Sequence, residues 1–232
     1  MKYKLSIIIP VYNEDEYIGR VLQHILDNCS KDNIEEIIIV DGGSSDNSIK
    51  IISEFVHVKI YKTLKGRARQ LNHGANLAKG AILYFLHSDS YPPKDFDIKV
   101  INAIKQNYVG SFRLKFENPN HYLLKISQWT TRLNFSLFRG GDQSLYITKK
   151  DFDFLKGFNE RYIIYEDIEF INRIYKKHNF KIIKDYVVTS ERKFKKNGIW
   201  KLHFNFLMIH IKYWFGANPD QLYNYYLKNI KE

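Results

Sequence analysis

The sequence has a single cysteine, five prolines and no long apolar run. Because Cys29 has no partner thiol, an internal disulfide is excluded, and a reducing compartment fits. Polar side chains interrupt even the most apolar segment, residues 199–217, so no stretch reaches the ~18 apolar residues of a membrane-spanning helix. The run Leu5–Val11 is too short for a signal-peptide core. We therefore expect a cytoplasmic protein whose closest approach to a bilayer is peripheral contact at the inner face of the membrane.

Acidic residues are also scarce, with 25 Asp and Glu against 36 Lys and Arg, a net charge of +11. This excess predicts an anionic partner, which could be nucleic acid, a membrane face or a phosphorylated small molecule. Residues 181–232 carry ten Lys or Arg and four acids, and the helix predicted at 199–215 mixes aromatic side chains with Lys201 and Lys212. That composition suits contact with an anionic membrane. Packing of the helix against the domain is the plainer explanation, and we favour it.

The first hundred residues alternate between short apolar runs and amphipathic segments. The apolar runs predict strands at 5–11, 35–40, 58–61 and 81–86, and the amphipathic segments predict helices at 15–29, 46–55, 67–78 and 94–107. Apolar strands joined by such helices indicate an α/β fold with a mostly parallel sheet flanked by helices. Strands are then predicted at 109–116, 144–148, 180–183 and 187–190, with helices at 121–138, 167–177, 199–215 and 219–228. We expect a single domain over 1–232.

Polar side chains follow three of the predicted strands, in the segments 12–14, 41–43 and 87–90. Parallel sheets bind ligands beyond the carboxyl ends of their strands, so these segments are the first candidates for a site. Asp89 is a hard oxygen ligand that suits a divalent cation holding substrate phosphates, or else a loop carboxylate. Asp41 can accept a hydrogen bond from a base or ribose, or else form an Asp-Gly turn. Asp46 lies in the first turn of its helix and is structural.

Four further segments carry groups that chemistry could use, and each has a plainer structural explanation. Residues 66–70 begin a helix with Arg67 and Arg69, which predicts an anion site or a solvated basic face. Glu166 and Asp167 precede a helix, so one can cap it while the other acts as a general base. Residues 140–143 combine a flexible backbone with two polar side chains. The basic residues at 192–196 could clamp phosphates or remain a solvated loop.

Taken in order, the motifs resemble glycosyltransferase family 2. The resemblance rests on the segments 6–14 and 40–48, on the aspartate at position 89 and on the Glu-Asp pair at 166–167. It implies the GT-A fold, a Rossmann-like sheet with a helical C-terminal extension. It also implies a nucleotide-binding half at 1–107, an acceptor-side half at 108–198 and C-terminal helices at 199–232. The segments 85–90, 140–143 and 189–192 are similar to a narrower bacterial subgroup labelled radical-SAM-associated or arsenosugar-type.

The resemblance also implies roles for individual residues. Contacts with the nucleotide would come from Pro10, Tyr12, Glu14, Asp41, Gly42, Arg67, Arg69 and Asp89. Asp89 would bind the Mn²⁺ or Mg²⁺ that bridges the diphosphate, and Arg67 or Arg69 would approach the diphosphate itself. Asp167 would be the base that deprotonates the acceptor, with Glu166 beside it. The acceptor side would be formed by Gly141, Asp142, Gln143 and Arg192.

The predicted function is therefore inverting, metal-dependent transfer of one sugar from a nucleotide-diphosphate sugar to an acceptor hydroxyl, which a lipid-linked molecule could supply. The family's usual Asp-x-Asp reads His87-Ser88-Asp89, which places metal affinity in question and keeps open a relative that binds without transferring. The Gln-x-x-Arg-Trp motif of processive synthases is absent, which favours single transfers. A basic nucleic-acid-binding protein is the other alternative. We do not expect a nucleic-acid partner, because strand-end carboxylates would repel phosphate.

Overall fold

A computed structural model describes residues 3–231, in which one mixed sheet of eight strands runs through most of the chain. The strands are β1 (Leu5–Val11), β2 (Ile34–Asp41), β3 (Val58–Lys62), β4 (Ile82–Phe85), β5 (Ser90–Tyr91), β6 (Val109–Phe116), β7 (Leu145–Thr148) and β8 (Phe180–Thr189). Their order across the sheet is β3-β2-β1-β4-β7-β6-β8-β5. The α/β class and the GT-A architecture expected from the sequence are confirmed.

Helices cover both faces of this sheet. They are α1 (Ile18–Asn28), α2 (Ser48–Ser53), α3 (Arg67–Leu77), α4 (Phe96–Lys105), α5 (Tyr122–Thr130), α6 (Lys149–Phe154), α7 (Glu166–Lys177), α8 (Arg192–Asn197), α9 (Ile199–Trp214) and α10 (Pro219–Asn229). Side chains alternate along each strand, so Ile7 and Ile9 pack in the core under α1, α2 and α4, while Ile8 packs in the core under α3, α6 and α7. Both faces of β1 are therefore buried.

The first four strands are parallel, with β1 between β2 and β4. Val11 pairs with Asp41 at the end of this register, so the carboxyl ends of β1 and β2 are level. The polar segments at 12–14, 41–43 and 87–90 consequently emerge at one edge of the sheet. That placement agrees with the sequence-based prediction.

The second half departs from the prediction in its details. Strand β7 is antiparallel to β4 and β6, and the two strands expected at 180–183 and 187–190 form the single strand β8, with a register shift opposite Phe112 and Arg113. The helix expected at 121–138 ends at Thr130, because the residues beyond it turn into a short 3₁₀ segment at Ser136–Phe138. The basic residues at 192–196 lie in α8 and not in a loop.

The C-terminal helices α9 and α10 pack on a small separate core. That core contains Leu202, Ile209, Leu222 and Tyr226 together with Tyr165, the residue immediately before α7. The Tyr165 hydroxyl also lies 2.6 Å from Nδ1 of His210 on α9. The C-terminal extension therefore supports the start of α7. Across residues 3–231, none of the helices has the length and apolarity needed to cross a bilayer.

Candidate active site

The loops after β1 and β2 are tied to each other by side-chain to backbone hydrogen bonds. The Asn13 amide N–H donates to Ser44 Oγ over 2.9 Å, and the Ser45 N–H donates to Asn13 Oδ1 over 2.8 Å. Asp41 is buried and its Oδ1 accepts the N–H of Ser44 over 2.9 Å. Asn13 has a positive φ of 55°, a conformation that asparagine tolerates better than most residues. The two loops therefore form one fixed wall of the cleft.

Gln70 on α3 holds the same two strand ends from below. Its Nε2 donates to the carbonyl of Val11 over 2.9 Å and to that of Val40 over 2.8 Å. Gly42 lies against this amide, because a Cβ there would be 3.1 Å from Gln70 Nε2. This role for Gln70 was not predicted from the sequence. The signal that could have indicated it is a glutamine beside the apolar stripe of α3. Gly42, expected to contact nucleotide, lies where a side chain would displace the Gln70 amide.

Tyr12 stands at the mouth of this wall with 39% of its surface exposed. The Lys65 ammonium lies 4.0 Å from the centre of its ring, which is cation–π distance. An exposed aromatic face at a strand end is a surface on which a flat base can stack. Pro10 lies within β1, paired with Val40, two residues before Tyr12.

Arg192, the first residue of α8, binds two of the predicted nucleotide-side carboxylates. One guanidinium nitrogen lies 2.6 Å from Glu14 Oε2, and Nε lies 3.2 Å from Asp89 Oδ2. Its guanidinium also stacks on the ring of Tyr17 at 4.6 Å. Burial raises the pKa of Asp89, while the charge of Arg192 opposes that rise. Arg192 was expected on the acceptor side, and the structure instead places it against Asp89 and Glu14.

Asp167 lies in the first turn of α7 and is held by two backbone amides. Its Oδ2 accepts the N–H of Gly141 over 2.5 Å, and its Oδ1 accepts its neighbour Ile168 N–H over 2.8 Å. A Cβ on Gly141 would lie 2.7 Å from His87 Nε2 and 2.9 Å from Asp167 Oδ2. Gly141 therefore allows the His87 ring and the Asp167 carboxylate to converge on the same small space.

Glu166 is turned away from Asp167 into the protein. Its side chain is 2% exposed, and Oε1 lies 3.3 Å from a guanidinium nitrogen of Arg67. Burial raises the pKa of Glu166 to about 7, Arg67 opposes that rise, and the negative charge of Asp167 adds to it. The pair thus divides as sequence analysis allowed, with Asp167 in the cleft and Glu166 beneath it. Glu166, expected among the catalytic residues, contacts Arg67.

Charged residues from both halves of the chain act on Asp142. Burial raises the pKa of Asp142 to about 6, and the negative charges of Asp167 and Asp89 raise it further. Burial also lowers the pKa of His87 well below its usual value, as do the nearby charges of Arg67, Lys193 and Arg192. His87 is therefore neutral at pH 7. Asp89 and Asp167 therefore lie close enough to Asp142 for their charges to act on it, and Arg67, Lys193 and Arg192 lie close enough to act on His87.

No group of three or more His, Cys, Asp or Glu side chains within residues 3–231 forms a ready-made metal cluster. A magnesium or manganese ion that also holds a diphosphate needs only one or two protein carboxylates, since phosphate oxygens and water supply the remaining ligands. Asp89 meets that requirement as a half-buried hard oxygen donor at a strand end. A cation bound there would compete with Arg192 for the same carboxylate.

Two of the expected residues, Arg69 and Gln143, contact other parts of the protein. Arg69 points to Glu160, whose Oε2 is 3.6 Å from its Nε, and both side chains are largely solvent-exposed. Gln143 is buried and donates from Nε2 to the Phe138 carbonyl over 2.7 Å, so it fixes its own loop. Of the two arginines at the start of α3, Arg67 is therefore the one that lies near Glu166 and His87.

Comparison with known proteins identifies the group to which this chain is related. Residues 6–166 match the family model described as glycosyl transferase family 2. The chain belongs to this family. The match ends at Glu166, so it includes all three polar strand ends and the glycine segment at 140–143. This confirms the family expected from the sequence.

Relatives found by sequence comparison include two enzymes whose names contain undecaprenyl or dolichyl groups. The chain is 31% identical over 120 residues to the undecaprenyl-phosphate 4-deoxy-4-formamido-L-arabinose transferase of Proteus mirabilis strain HI4320, a match covering 47% of this chain and 37% of that protein. It is 26% identical over 244 residues to the dolichyl N-acetyl-alpha-D-glucosaminyl phosphate 3-beta-D-2,3-diacetamido-2,3-dideoxy-beta-D-glucuronosyltransferase of Methanococcus voltae, covering 97% of this chain and 67% of that protein. The chain thus spans well under half of the first relative.

A solved structure with a similar fold is S. aureus TarS 1–349 in complex with UDP. The superposition has a TM-score of 0.68 at 20% sequence identity and covers 81% of this chain and 60% of that chain. At this identity the likeness establishes the fold. It agrees with the mixed sheet described above.

Proposed function

We propose that this chain transfers a single sugar, with inversion, from a nucleotide-diphosphate sugar to the hydroxyl group of an acceptor. The observation that carries the proposal is the proximity of Asp89 and Asp167, whose charges both act on Asp142, with Asp167 and His87 meeting at Gly141. Family membership supports the reaction class. The geometry supports the division of labour between a donor side at Asp89 and an acceptor side at Asp167.

Asp167 is the proposed general base. Two backbone N–H groups hold its carboxylate in a fixed orientation, and a carboxylate with two such bonds keeps lone pairs free for a third donor. In the proposed step one Asp167 oxygen takes the proton of the acceptor hydroxyl, whose oxygen forms the new bond to the anomeric carbon. The bond from that carbon to the phosphate oxygen breaks, and the nucleoside diphosphate leaves with the electron pair. Attack from the face opposite the leaving group inverts the anomeric centre.

The leaving diphosphate needs positive charge around it. Three cations have charges that act on His87, and they are the proposed phosphate-side groups: Arg67, Arg192 and Lys193. Asp89 would hold a Mn²⁺ or Mg²⁺ ion, which when bound supplies further charge neutralisation to the leaving group. Tyr12, Glu14 and Asp41 form the wall on which the base and ribose would lie.

The acceptor side is proposed to lie at Gly141 and Asp142, within residues 108–198. A lipid-linked acceptor is supported by the names of the Proteus and Methanococcus relatives, which specify undecaprenyl-phosphate and dolichyl phosphate substrates. The assignment to the narrower radical-SAM-associated or arsenosugar-type subgroup stays a prediction that rests on the motifs at 85–90, 140–143 and 189–192.

A thermal-shift screen of nucleotides and nucleotide sugars, with and without Mn²⁺, tests the donor half of the proposal. A ligand that binds only the folded protein raises its apparent stability. We would begin with UDP and UDP-sugars, because UDP is the ligand in the TarS structure. The proposal predicts a rise in Tm with one nucleotide class that is larger when Mn²⁺ is present and is lost in Asp89→Asn. No shift with any nucleotide sugar would contradict it.

A relative that binds donor without transferring is the second candidate, and His87 is the observation that favours it. In this site the first carboxylate of the family's pair is replaced by a side chain that is neutral at pH 7. Donor binding without any release of nucleoside diphosphate in the presence of candidate acceptors would support this alternative.

A further inference from the structure

The first turns of α5 and α9 touch each other at the surface. The rings of Tyr122 and Trp200 are 5.8 Å apart between centroids, and Ser127 Oγ is hydrogen-bonded to His203 Nε2 at 2.7 Å. Leu124 on α5 and Leu202 on α9 are buried, 2% and 0% exposed. The two helices are therefore fixed side by side, each with one flank packed inward and one flank directed outward.

The outward flanks carry a series of exposed apolar side chains. The exposed large side chains are Tyr122, Ile126 and Trp129 on α5, and Trp200, Phe204, Leu207 and Trp214 on α9, all between 52% and 66% exposed. Their spacing of three, four or seven residues places them on one stripe of each helix. The stripes adjoin where Tyr122 meets Trp200. We call these seven residues the α5–α9 face. A contiguous exposed apolar surface of this kind marks an interaction site.

The segments that build this face contain no acidic residue. Segment 118–141 has three basic residues, segment 192–219 has six, and neither contains Asp or Glu. Lys125 and Lys201 are exposed on the same two helices. Tryptophan, other large apolar side chains and lysine along one helix flank are typical of helices that lie in the interface of an anionic bilayer. A second copy of the chain would bring its own cations against these, which disfavours self-association.

We propose that the α5–α9 face docks the protein on the surface of an anionic bilayer. The aromatic and aliphatic side chains enter the headgroup region, and the lysines contact anionic headgroups. None of the seven residues belongs to the candidate active site, so variants of this face leave the proposed donor and acceptor residues in place. Helix α8 connects the two regions, since it begins at Arg192, beside Asp89, and ends just before α9.

Flotation of the full chain with lipid vesicles tests the proposal. One set of vesicles contains phosphatidylcholine alone, and the other contains phosphatidylcholine with phosphatidylglycerol. The expected result is binding to the anionic vesicles that weakens as salt is raised, with much weaker binding to the neutral vesicles. Equal binding to both sets, or no binding to the anionic set, would overturn the proposal.

Matched variants separate the face from the rest of the surface. Phe204→Ser is compared with Phe154→Ser, because Phe154 is similarly exposed, at 68% against 60%, but lies on α6. Phe204→Ser is expected to weaken partitioning to anionic vesicles about tenfold, and Phe154→Ser to leave it unchanged. Lys201→Gln is expected to weaken it roughly fivefold, and Lys150→Gln, another exposed lysine on α6, to have no effect.

Circular dichroism and size-exclusion chromatography complete the experiment. All four variants alter exposed side chains, so unchanged spectra and melting are expected. Loss of vesicle binding by both phenylalanine variants alike would overturn the assignment to this face. So would a wild-type dimer that Phe204→Ser converts to a monomer while vesicle binding is absent, because the face would then be an interface between copies.

Discussion

Glu166 shows how one residue of an acidic pair becomes structural. Its carboxyl group is buried, and its folded-state pKa of about 7 lies above the ordinary value of 4.5. The folded protein therefore binds a proton more tightly than the unfolded chain does. The stabilising contribution is complete below about pH 4.5 and is lost as pH rises through 7.

This sign leads to a prediction for Glu166→Gln. Between pH 5 and pH 8 the free energy of unfolding of the wild type should fall relative to that of the variant, by roughly 1–3 kcal/mol. Urea unfolding at several pH values measures the difference. Glu160→Gln, at the solvent-exposed partner of Arg69, is the control and should give a difference that does not change with pH. A flat difference for Glu166→Gln would show that its carboxyl is not protonated in the folded protein.

The site requires a residue without a side chain at Gly141. A methyl group there would meet both His87 and Asp167 well inside van der Waals contact, so Gly141→Ala must displace one of them. We expect turnover to fall by about a hundredfold or more, because a misplacement of about 1 Å has that cost. The rate of nucleoside diphosphate release measures it. Gly19→Ala on α1, where a Cβ would lie 2.9 Å from Ile51 Cγ2 and would meet neither His87 nor Asp167, is the control and should leave the rate per folded molecule unchanged.

At the scale of elements, α3 fixes the relative position of two strands through a single side chain. Gln70→Met keeps the length of the side chain but removes both hydrogen bonds to the strand-end carbonyls. The unfolding free energy should drop by about 1–3 kcal/mol, since both carbonyls lose the Gln70 amide and Val11 keeps only the N–H of Gly42. Donor affinity should weaken as well, because Asp41 and Tyr12 leave the sheet at these ends. Gln23→Met, an exposed position on α1, is the control for both measurements, and equal effects of the two variants would contradict the role of Gln70.

The contact between α9 and the start of α7 joins the C-terminal extension to the proposed base. Tyr165→Phe removes the hydrogen bond to His210, and we expect a stability loss of about 1 kcal/mol. We also expect turnover to fall while the donor-induced rise in Tm is retained, since Tyr165 precedes Asp167 and does not touch the donor wall. Tyr213→Phe, which alters a neighbouring ring, is the control. A loss of donor binding in Tyr165→Phe would place the tyrosine on the donor side instead.

Sequence periodicity was sufficient for the first half of the fold and less so for the second. The predicted strands at 5–11, 35–40 and 81–86 each contain an uninterrupted apolar run, at 7–11, 37–40 and 81–86, as strands buried on both faces do, and all three are strands. Strand β8 contains buried and partly exposed residues and carries Lys184 and Asp185 in its middle. The sequence therefore predicted two short strands in its place. Helix α8 is only six residues long and mostly basic, and the ion pairs of its first residue, Arg192, join distant segments that a sequence does not display together.

Over the whole molecule, the proposed site residues were predictable as far as they sit at strand ends. Asp89 and Asp167 are far apart in the chain, and the topology brings both close enough to Asp142 for their charges to act on it. The pairing of Arg192 with Glu14 and Asp89 was not predictable, because it joins distant parts of the chain, with Arg192 and Glu14 178 positions apart. The same holds for the contact of Gly141 with His87 and Asp167, which depends on how the glycine segment turns against α7.

The account makes Asp89 responsible for the donor and Asp167 for the acceptor, and a paired comparison of their asparagine variants tests this most directly. Calorimetric titration with nucleoside diphosphate and Mn²⁺ measures donor binding, and release of nucleoside diphosphate from the nucleotide sugar measures turnover. Asp167→Asn should bind as the wild type does and turn over at least about a hundredfold more slowly. Asp89→Asn should lose metal-dependent binding. Unchanged turnover in both variants, or equal loss of binding in both, would contradict the account.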